Sequence, residues 1–241
     1  MGGIESLRKM RHKYHVEPVE VGGTAPGRLV IWGASGHALN VIDIVRLNHQ
    51  FEVFGLIDDM EPDRAGDYFD GITILGGRDK LPSLLAEGIN QMFLAFGDNA
   101  ARLEIAELVI GLGFTLVTVI HPCAIVAQSV TIGAGTYVGA EVVIDPFTKI
   151  GANVIVNTAA SVAHECVVED GASVGPGVRM GGGARVGRGA QIGIGATLRD
   201  HISIGAGCVI GAGAVVVKDI PAGVMAYGVP ARIIKEVVND A

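Results

Sequence analysis

Aliphatic side chains recur at every sixth position through the second half of the chain. Counting by six from Val126 to Val216, every step falls on Val, Ile, Leu or Met. These register positions are Val126, Ile132, Val138, Ile144, Ile150, Val156, Val162, Val168, Val174, Met180, Val186, Ile192, Leu198, Ile204, Ile210 and Val216. Glycine often follows a register residue, and the position two before it is usually small or aliphatic.

A period of six fits neither a helix nor a flat, two-sided strand. It is typical of a hexapeptide parallel β-helix, in which each repeat is a short strand with a turn and three repeats close one triangular coil. The register side chains then point inward and stack on their equivalents in the next coil, while glycine gives the corners backbone freedom. The pattern predicts five coils in a prism roughly 24 Å tall. It does not determine the handedness of the coil.

A different pattern precedes the repeats and predicts a small α/β domain over residues 28–120. Apolar runs at residues 29–32, 51–57, 72–75, 92–96 and 114–119 are typical of buried strands. Helices are predicted between them, the first with an apolar face at the i, i+3, i+4, i+7 spacing formed by Ala38, Val41, Ile42 and Val45. Strands that alternate with helices imply a parallel sheet with right-handed crossovers.

The two chain ends lack both patterns. Residues 1–27 are polar and mixed, which predicts a tag or a loose extension rather than a functional arm. The tail after Val216 is expected to cap the last coil, whose strand edge would otherwise be exposed. The sequence therefore predicts an extension (1–27), an α/β domain (28–120), a β-helix with its cap (121–235) and a short tail (236–241).

Composition narrows the classes of function. The chain has 241 residues, a formal net charge of −7 and 5% aromatic residues, so it shows no basic footprint for nucleic acid. No run is long enough to span a bilayer, and residues 1–27 lack the apolar core of a signal peptide. Cys166 and Cys208 fall on an inward position of the repeat, and no CxxC pair occurs. We therefore expect a cytoplasmic protein without nucleic-acid or membrane partners.

Three polar clusters follow predicted strands of the α/β domain. The turn at residues 33–37 (GASGH) precedes a helix whose N-terminal amides suit a phosphate, although a tight turn without a ligand explains it equally well. Its spacing is not the GxGxxG of dinucleotide sites. Asp58-Asp59 and residues 97–99 (GDN) end two further strands. Because the carboxyl ends of parallel strands share one sheet edge, the clusters favour a small-molecule site there.

Within the repeats, His164-Glu165 places a histidine beside a carboxylate, two residues after register position Val162. A carboxylate can stabilise the imidazolium and fix the tautomer of the ring, which suits general-base chemistry. An exposed polar corner without function is the simpler interpretation of the spacing. Three glycines at 181–183 either bring backbone amides close to a ligand on the prism wall or only make a corner flexible. His201, after Asp200, is given no role.

Together these motifs resemble the NeuD/PglD-type sugar acetyltransferases of the hexapeptide-repeat acyltransferase superfamily. The resemblance covers residues 28–235 and rests on GASGH, Asp58-Asp59, GDN, His164-Glu165 and a KDIPAG…GVPA tail, since the repeats alone indicate only the superfamily. It implies a left-handed β-helix behind a Rossmann-like domain that holds a nucleotide-linked aminosugar. It also implies a homotrimer with active sites between neighbouring prisms, where acetyl-CoA lies in the groove and no metal is needed.

The resemblance further implies roles for individual residues. His164 matches the general base of the family, and Glu165 matches the carboxylate that supports it. Substrate-contacting positions match Ser35, Gly36, His37, Asp58, Asp59 and Gly97. Cofactor-contacting positions match Ser173, Gly182, Ile194 and Ala212, with Gly182 as an oxyanion donor. The chain departs from the family at Ser173, where members often carry a second histidine, and a hydroxyl there can still donate to a carbonyl or a water.

We therefore expect an acetyl-CoA-dependent N-acetyltransferase whose substrate is a nucleotide-linked 4-amino-4,6-dideoxy sugar, with direct attack of the amine on the thioester. O-acetylation of a sialic-acid-like sugar is the close alternative. A γ-type carbonic anhydrase needs three histidines around each metal, and only His164 and His201 lie between Val126 and Val216, which disfavours that class. A non-catalytic solenoid that binds nucleotide sugars is the remaining alternative.

Overall fold

The computed structural model describes residues 27–237, an α/β unit followed by a parallel β-helix. The strands of the α/β unit are β1 (Gly27–Trp32), β2 (Phe51–Ile57), β3 (Tyr68–Phe69), β4 (Ile72–Gly76), β5 (Gln91–Leu94) and β6 (Thr115–Leu116). Its helices are α1 (Gly36–Asn48), α2 (Leu81–Ala86) and α3 (Asn99–Leu112), with 3₁₀ turns at Pro62–Arg64 and Arg78–Lys80. The predicted extension before Gly27 and the tail after Val237 lie outside the described residues.

The six strands of the α/β unit form one sheet in the order β3-β4-β2-β1-β5-β6. Every pairing is parallel, as predicted, except that of β3 with β4. Strand β1 is buried on both faces: Leu29 and Ile31 belong to the core under α1, and Val30 and Trp32 to the core under α2 and α3. The two-residue strand β3 carries too short an apolar run to be predicted from sequence.

The β-helix is built from two-residue strands, one per hexapeptide, which stack into three parallel walls. The first wall contains β7 (Val119–Ile120), β10 (Tyr137–Val138), β13 (Ile155–Val156), β16 (Ser173–Val174), β19 (Gln191–Ile192) and β22 (Val209–Ile210). The second wall contains β8 (Ile125–Val126), β11 (Val143–Ile144), β14 (Ser161–Val162), β17 (Arg179–Met180), β20 (Thr197–Leu198) and β23 (Val215–Val216). The third wall contains β9 (Thr131–Ile132), β12 (Lys149–Ile150), β15 (Val167–Val168), β18 (Arg185–Val186) and β21 (Ser203–Ile204).

The register residues fill the inside of the prism. Val143 pairs with Ser161 and Ile144 with Val162, so each coil takes 18 residues, as the three-repeat coil predicts. All register positions from Val138 to Val216 are buried, together with the small residues two positions before them. Cys166 and Cys208 belong to this core, also as predicted.

The change from the α/β unit to the β-helix differs from the sequence prediction, which places one strand over residues 114–119. In the structure β6 ends at Leu116, and Val119 already pairs with Tyr137 in the first wall. Between them the hydroxyl of Thr118 donates to the carbonyl of Gly133 at 3.0 Å, which ties the connection to the first coil. One apolar run serves two sheets, and its hydrophobicity does not mark the break.

The tail caps the last coil, as predicted. Strand β24 (Val224–Gly228) adds to the first wall beside β22, and β25 (Ala231–Glu236) pairs antiparallel with β24. On the third wall, Ile220 forms a bridge with Ile204. The strand edges of two walls are therefore covered by the chain itself.

The α/β unit packs on the first wall of the prism. Tyr137 and Ile155 of that wall join the core beneath α1, and Asn48 at the end of α1 donates to the carbonyl of Ile120 at 2.9 Å. The ring of His37, in the first turn of α1, meets the ring of Tyr137 edge-on with centroids 4.7 Å apart. The packing thus brings the turn after β1 against the first wall.

The periodic core makes a direct prediction about stability. Ile192 is 1% exposed, and replacing it with alanine should lower the free energy of unfolding by about 2 to 5 kcal/mol, because the stacked coils cannot collapse fully into the cavity. Ile194 lies two residues further along the same repeat and is 63% exposed, so Ile194→Ala is the matched control and should change stability little. Denaturant unfolding followed by circular dichroism measures both. Equal losses in the two variants would contradict the inward register.

Candidate active site

His164 and Glu165 form the corner between β14 and β15, where the second wall meets the third. Nδ1 of His164 lies 3.0 Å from Oε2 of Glu165, and the two side chains are 59% and 66% exposed. Glu165 has a left-handed backbone, with φ of 58°. The alternation of a strand is broken there, which lets side chains of adjacent residues meet. The corner therefore presents a solvent-accessible imidazole held by a carboxylate.

Gly182 lies one coil further along the same column of corners, directly beside the ring of His164. A Cβ atom at residue 182 would lie 2.7 Å from Cε1 and 2.8 Å from Nε2 of His164, so the imidazole occupies its place only beside glycine. The N–H groups of Gly181 and Gly183 donate to the carbonyls of Leu198 and His164. Within residues 27–237 the N–H of Gly182 has no backbone acceptor. A hydrogen-bond donor is thus left beside the imidazole.

At the sheet edge of the α/β unit, both predicted aspartates are paired with arginines. Asp58 is 7% exposed and accepts a hydrogen bond from Nη1 of Arg64 at 2.9 Å; the same nitrogen lies 3.4 Å from the carbonyl of Ala34 in the GASGH turn. Asp59 accepts from the backbone N–H and from Nε of Arg78, both at 2.6 Å. The sequence analysis did not single out these arginines, because partners 6 and 19 residues away leave no spacing signal.

A cavity of about 370 Å³ opens beside the Asp59–Arg78 pair. It is lined by Asp59, Ala65, Gly76, Gly77, Arg78, Asp79 and Lys80. Both carboxylate oxygens of Asp59 bind Arg78 through its backbone N and Nε, which leaves the Nη donors of the guanidinium for another partner. This edge of the sheet therefore offers an oriented, exposed guanidinium to a ligand.

The turn after β1 shapes the start of α1. Gly33 has φ of +121°, and a Cβ there would lie 2.8 Å from the carbonyl oxygen of Ala95, so the turn requires glycine. Ser35 is the N-cap of α1, yet its side chain makes no capping hydrogen bond and the first turn holds no acidic residue. The positive end of a 13-residue helix at Gly36 is therefore left without a negative partner, which suits a phosphate.

His37 is held neutral against the first wall. Burial lowers its pKa to about 4, and the charge of Arg102 lowers it further in the same direction. Its ring contacts Tyr137 edge-on, and its Nε2 is buried without a hydrogen-bond partner within residues 27–237. Buried polar atoms in proteins are nearly always paired, so this nitrogen is a candidate for a ligand contact.

A second cavity, of about 470 Å³, lies between the α/β unit and the first wall. Five of the predicted site residues line it: His37, Gly97, Ser173, Ile194 and Ala212. The predicted substrate positions His37 and Gly97 come from the α/β unit, and the predicted cofactor positions come from the prism. The structure therefore brings these two predicted sets together at one cavity.

The third polar cluster, residues 97–99, serves the packing between the two units. Asp98 caps α3 by accepting from the N–H of Ala101 at 2.9 Å. Asn99 donates through Nδ2 to the carbonyls of Gly189 and Ala190. The hydroxyl of Ser173 donates to Oδ1 of Asn99 at 2.6 Å. In this arrangement Ser173 offers a ligand an acceptor rather than the donor expected from sequence.

The predicted site residues form two separate groups within one chain. His164, Glu165 and Gly182 lie at the corner between the second and third walls. The 470 Å³ cavity lies on the first wall, which is opposite that corner in a prism of three walls. One chain by itself therefore does not bring the imidazole to the cavity.

Two classes of feature were searched for within residues 27–237. No group of three or more His, Cys, Asp or Glu side chains in that range could hold a metal ion. None of the helices in the same range has the length and apolar character needed to cross a membrane.

Comparison with known proteins places both parts of the chain. Residues 28–109 match the model of the PglD N-terminal domain, and residues 183–218 match the bacterial transferase hexapeptide model of six repeats. Among the curated proteins, no match to the chain was found.

Several solved structures are similar over most of their length. GDP-perosamine N-acetyltransferase from Caulobacter crescentus, crystallised as a histidine-to-alanine mutant with CoA and GDP-perosamine, is 38% identical with a TM-score of 0.83, covering 87% of this chain and 98% of that chain. The acetyltransferase domain of PglB from Neisseria gonorrhoeae, in complex with acetyl coenzyme A, is 34% identical with a TM-score of 0.81, covering 87% and 100%. WeeI from Acinetobacter baumannii is 26% identical with a TM-score of 0.75, covering 86% and 99%.

These matches confirm the fold class expected from the sequence, a Rossmann-like α/β domain followed by a left-handed parallel β-helix. They also confirm acetyl-CoA as the co-substrate. The chain belongs to the NeuD/PglD-type family of acetyl-CoA-dependent sugar acetyltransferases.

Proposed function

We propose that this enzyme transfers the acetyl group of acetyl-CoA to the amine of a nucleotide-linked 4-amino-4,6-dideoxy sugar. The observation that carries the proposal is the 38% identity to GDP-perosamine N-acetyltransferase over 98% of that chain, which was crystallised with CoA and GDP-perosamine. The test is an acetyl-CoA turnover assay against UDP-, GDP- and dTDP-linked aminosugars and sugars that carry a hydroxyl in place of the amine. Turnover of only the hydroxyl sugars would replace the proposal with O-acetylation.

In the proposed mechanism His164 is the general base. The amine attacks the thioester carbon and loses a proton to the imidazole, while Glu165, 3.0 Å away, orients the ring and stabilises the imidazolium. The N–H of Gly182 donates to the oxyanion of the tetrahedral intermediate, which then expels the thiolate of CoA. A relative crystallised with one histidine replaced supports a catalytic imidazole.

Direct transfer, without an acyl-enzyme, agrees with the placement of the cysteines. Cys166 and Cys208 are 0% exposed inside the prism, and burial raises the pKa of the Cys166 thiol, so neither supplies an accessible thiolate. The acetyl group therefore passes from sulfur to nitrogen in one addition and elimination.

The nucleotide sugar is assigned to residues 28–120 and acetyl-CoA to residues 121–235. In this assignment Ser35 and Gly36 bind phosphate at the start of α1, and the Asp58 and Asp59 pairs with Arg64 and Arg78 bound the nucleotide side. His37 and Gly97 meet the sugar at the 470 Å³ cavity, where the buried Nε2 of His37 gains a partner. Ser173, Ile194 and Ala212 line the groove for acetyl-CoA on the opposite side of that cavity.

The active site is proposed to form between chains of a homotrimer. The base lies at the corner opposite the wall that holds the cavity, so a complete site needs the corner of one chain beside the cavity of another. Closed cyclic symmetry repeats this contact three times and leaves no chain with an unused half.

The first prediction concerns the base. His164→Ala should lower kcat by roughly 10²–10⁴-fold, the usual effect of losing a general base, with little change in either KM. Glu165→Gln should be milder, because the imidazole remains. His201→Ala is the matched control, since His201 is exposed in the same column of corners and has no proposed role. A His164→Ala variant with near wild-type kcat would show that the base lies elsewhere.

The second prediction concerns the space beside the base. Gly182→Ala places a methyl group where the His164 ring now lies, so it should displace the imidazole and lower kcat at least 10-fold. Thermal stability should fall little, because the exposed side chain can move. Gly111→Ala is the control, since a Cβ at residue 111 meets no atom within 4 Å. Equal kcat in both variants would contradict the proposed position of the base.

The third prediction concerns assembly. Chains carrying His164→Ala and chains carrying Ile194→Arg should each be inactive alone, because one lacks the base and the other blocks the cavity. Co-expressed, they should regain part of the activity, since some interfaces then pair an intact corner with an intact cavity. Co-expression that restores nothing, together with a monomer in analytical ultracentrifugation, would exclude shared sites.

A further inference from the structure

Arg102 is the largest fully buried side chain of the described residues, with 1% of its surface exposed. It extends from α3 into the seam between the α/β unit and the prism. Its guanidinium donates to the carbonyls of Asn153 (3.0 Å), Phe96 (3.1 Å) and Gly171 (2.9 Å), to Oδ1 of Asn99 (2.8 Å) and to Oγ of Ser173 (3.3 Å). Three of these five partners belong to the prism.

The chemistry of this contact separates it from ordinary packing. Burial lowers the pKa of Arg102 to about 10, so the group stays charged near neutral pH although its salt bridges include no carboxylate. A buried cation is costly unless its donors are fully paired, and here oxygen atoms of fixed backbone corners supply the pairing. An apolar side chain would fill the seam without this cost. The planar fork adds what an apolar contact lacks, a defined orientation of one unit on the other.

Asn99 and Ser173 extend the contact to the edge of the 470 Å³ cavity. Asn99 donates to the carbonyls of Gly189 and Ala190, and its Oδ1 accepts from both Arg102 and Ser173. Ser173 itself lines the cavity. The hydrogen bonds therefore run without a break from the buried guanidinium to the cavity wall.

We infer that Arg102, Asn99 and Ser173 form an interdomain clamp that sets the depth at which the α/β unit presents the aminosugar to the acetyl group. Arg102 is a positioning residue in this clamp and touches neither substrate. The cavity has His37 and Gly97 on one side and prism residues on the other, so its width depends on the seam. A displacement of about 1 Å between reacting groups costs a large factor in rate. The identity of the aminosugar rests on the function proposed above.

The clamp also gives a physical role to the serine at residue 173. Its hydroxyl is short enough to stay within the first wall and still bond Asn99 at 2.6 Å. The residue that departs from the sequence pattern of the family is thus part of the junction between the two units.

The experiment compares three variants with two controls. Asn99→Ala removes the centre of the clamp, Ser173→Ala removes its outer end, and Arg102→Lys keeps the charge but loses the fork. Asn48→Ala is the matched control for Asn99→Ala, because Asn48 also joins the two units by one hydrogen bond, to Ile120, away from the cavity. Arg46→Lys is the control for Arg102→Lys, because Arg46 is exposed and pairs with Asp70.

The expected result is a separation of the two Michaelis constants. Asn99→Ala should raise the KM for the nucleotide sugar roughly 10-fold and lower kcat, and should leave the KM for acetyl-CoA within about twofold, since the prism side of the cavity is intact. Both controls should keep wild-type kinetics. Combining Asn99→Ala with Ser173→Ala should cost less than the product of the single effects. If Asn99→Ala lowers only the melting temperature, or changes both KM values equally, the clamp has no positioning role.

Hydrogen exchange gives a readout that needs no substrate. In Asn99→Ala the amides of β10 and β13, beneath the α/β unit, should exchange faster than in the wild type, and those of β14 and β17 on the second wall should not. Unchanged exchange in β10 and β13 would overturn the clamp. If the wild type acetylates no nucleotide sugar, the proposed function fails while this measurement still decides the clamp. If Arg102→Lys does not fold, the two milder variants decide it.

Discussion

The inward stacking of one aliphatic side chain per hexapeptide is the constraint on which the rest of this enzyme depends. Each register residue is confined to the narrow core, so the residues between successive registers must form the walls and corners. The polar residues of the prism can then lie only on the outside, at places set by their distance from the register. His164 is two residues past Val162, so it must lie at a corner, and Gly182 must lie in the same column. The catalytic geometry is in this sense a result of core packing.

Much of the fold was predictable because it depends on periodicity, which a single sequence displays. The six-residue register, the buried cysteines and the capping tail all come from repeated or local signals, and the structure agrees with them. The break between Leu116 and Val119 was not predictable, since both sides of it are apolar and only the choice of pairing partner distinguishes them.

The candidate site was predictable only in part, for a related reason. Residue types that carry chemistry stood out, but their partners did not. Arg64, Arg78 and Arg102 are paired through contacts between distant segments, and nothing in their sequence neighbourhood marks them. The use of Asn99 and Ser173 in the seam was equally hidden, because a hydroxyl and an amide 74 residues apart meet only after both units have folded and docked.

The 18-residue coil has a consequence for how this chain can change length. Counted in units of six, the number of residues between two positions decides whether they share a corner, and the count matters only up to multiples of three units. An insertion of six residues after His164 would turn every later coil by a third of a revolution and carry Gly182 to a different corner from the base. An insertion of 18 would keep the corner and shift it along the axis by one strand spacing, about 4.8 Å. Natural length variation between the base and its glycine is therefore confined by geometry to none at all, whereas beyond the last functional residue whole coils can be gained or lost without changing the direction of any catalytic group.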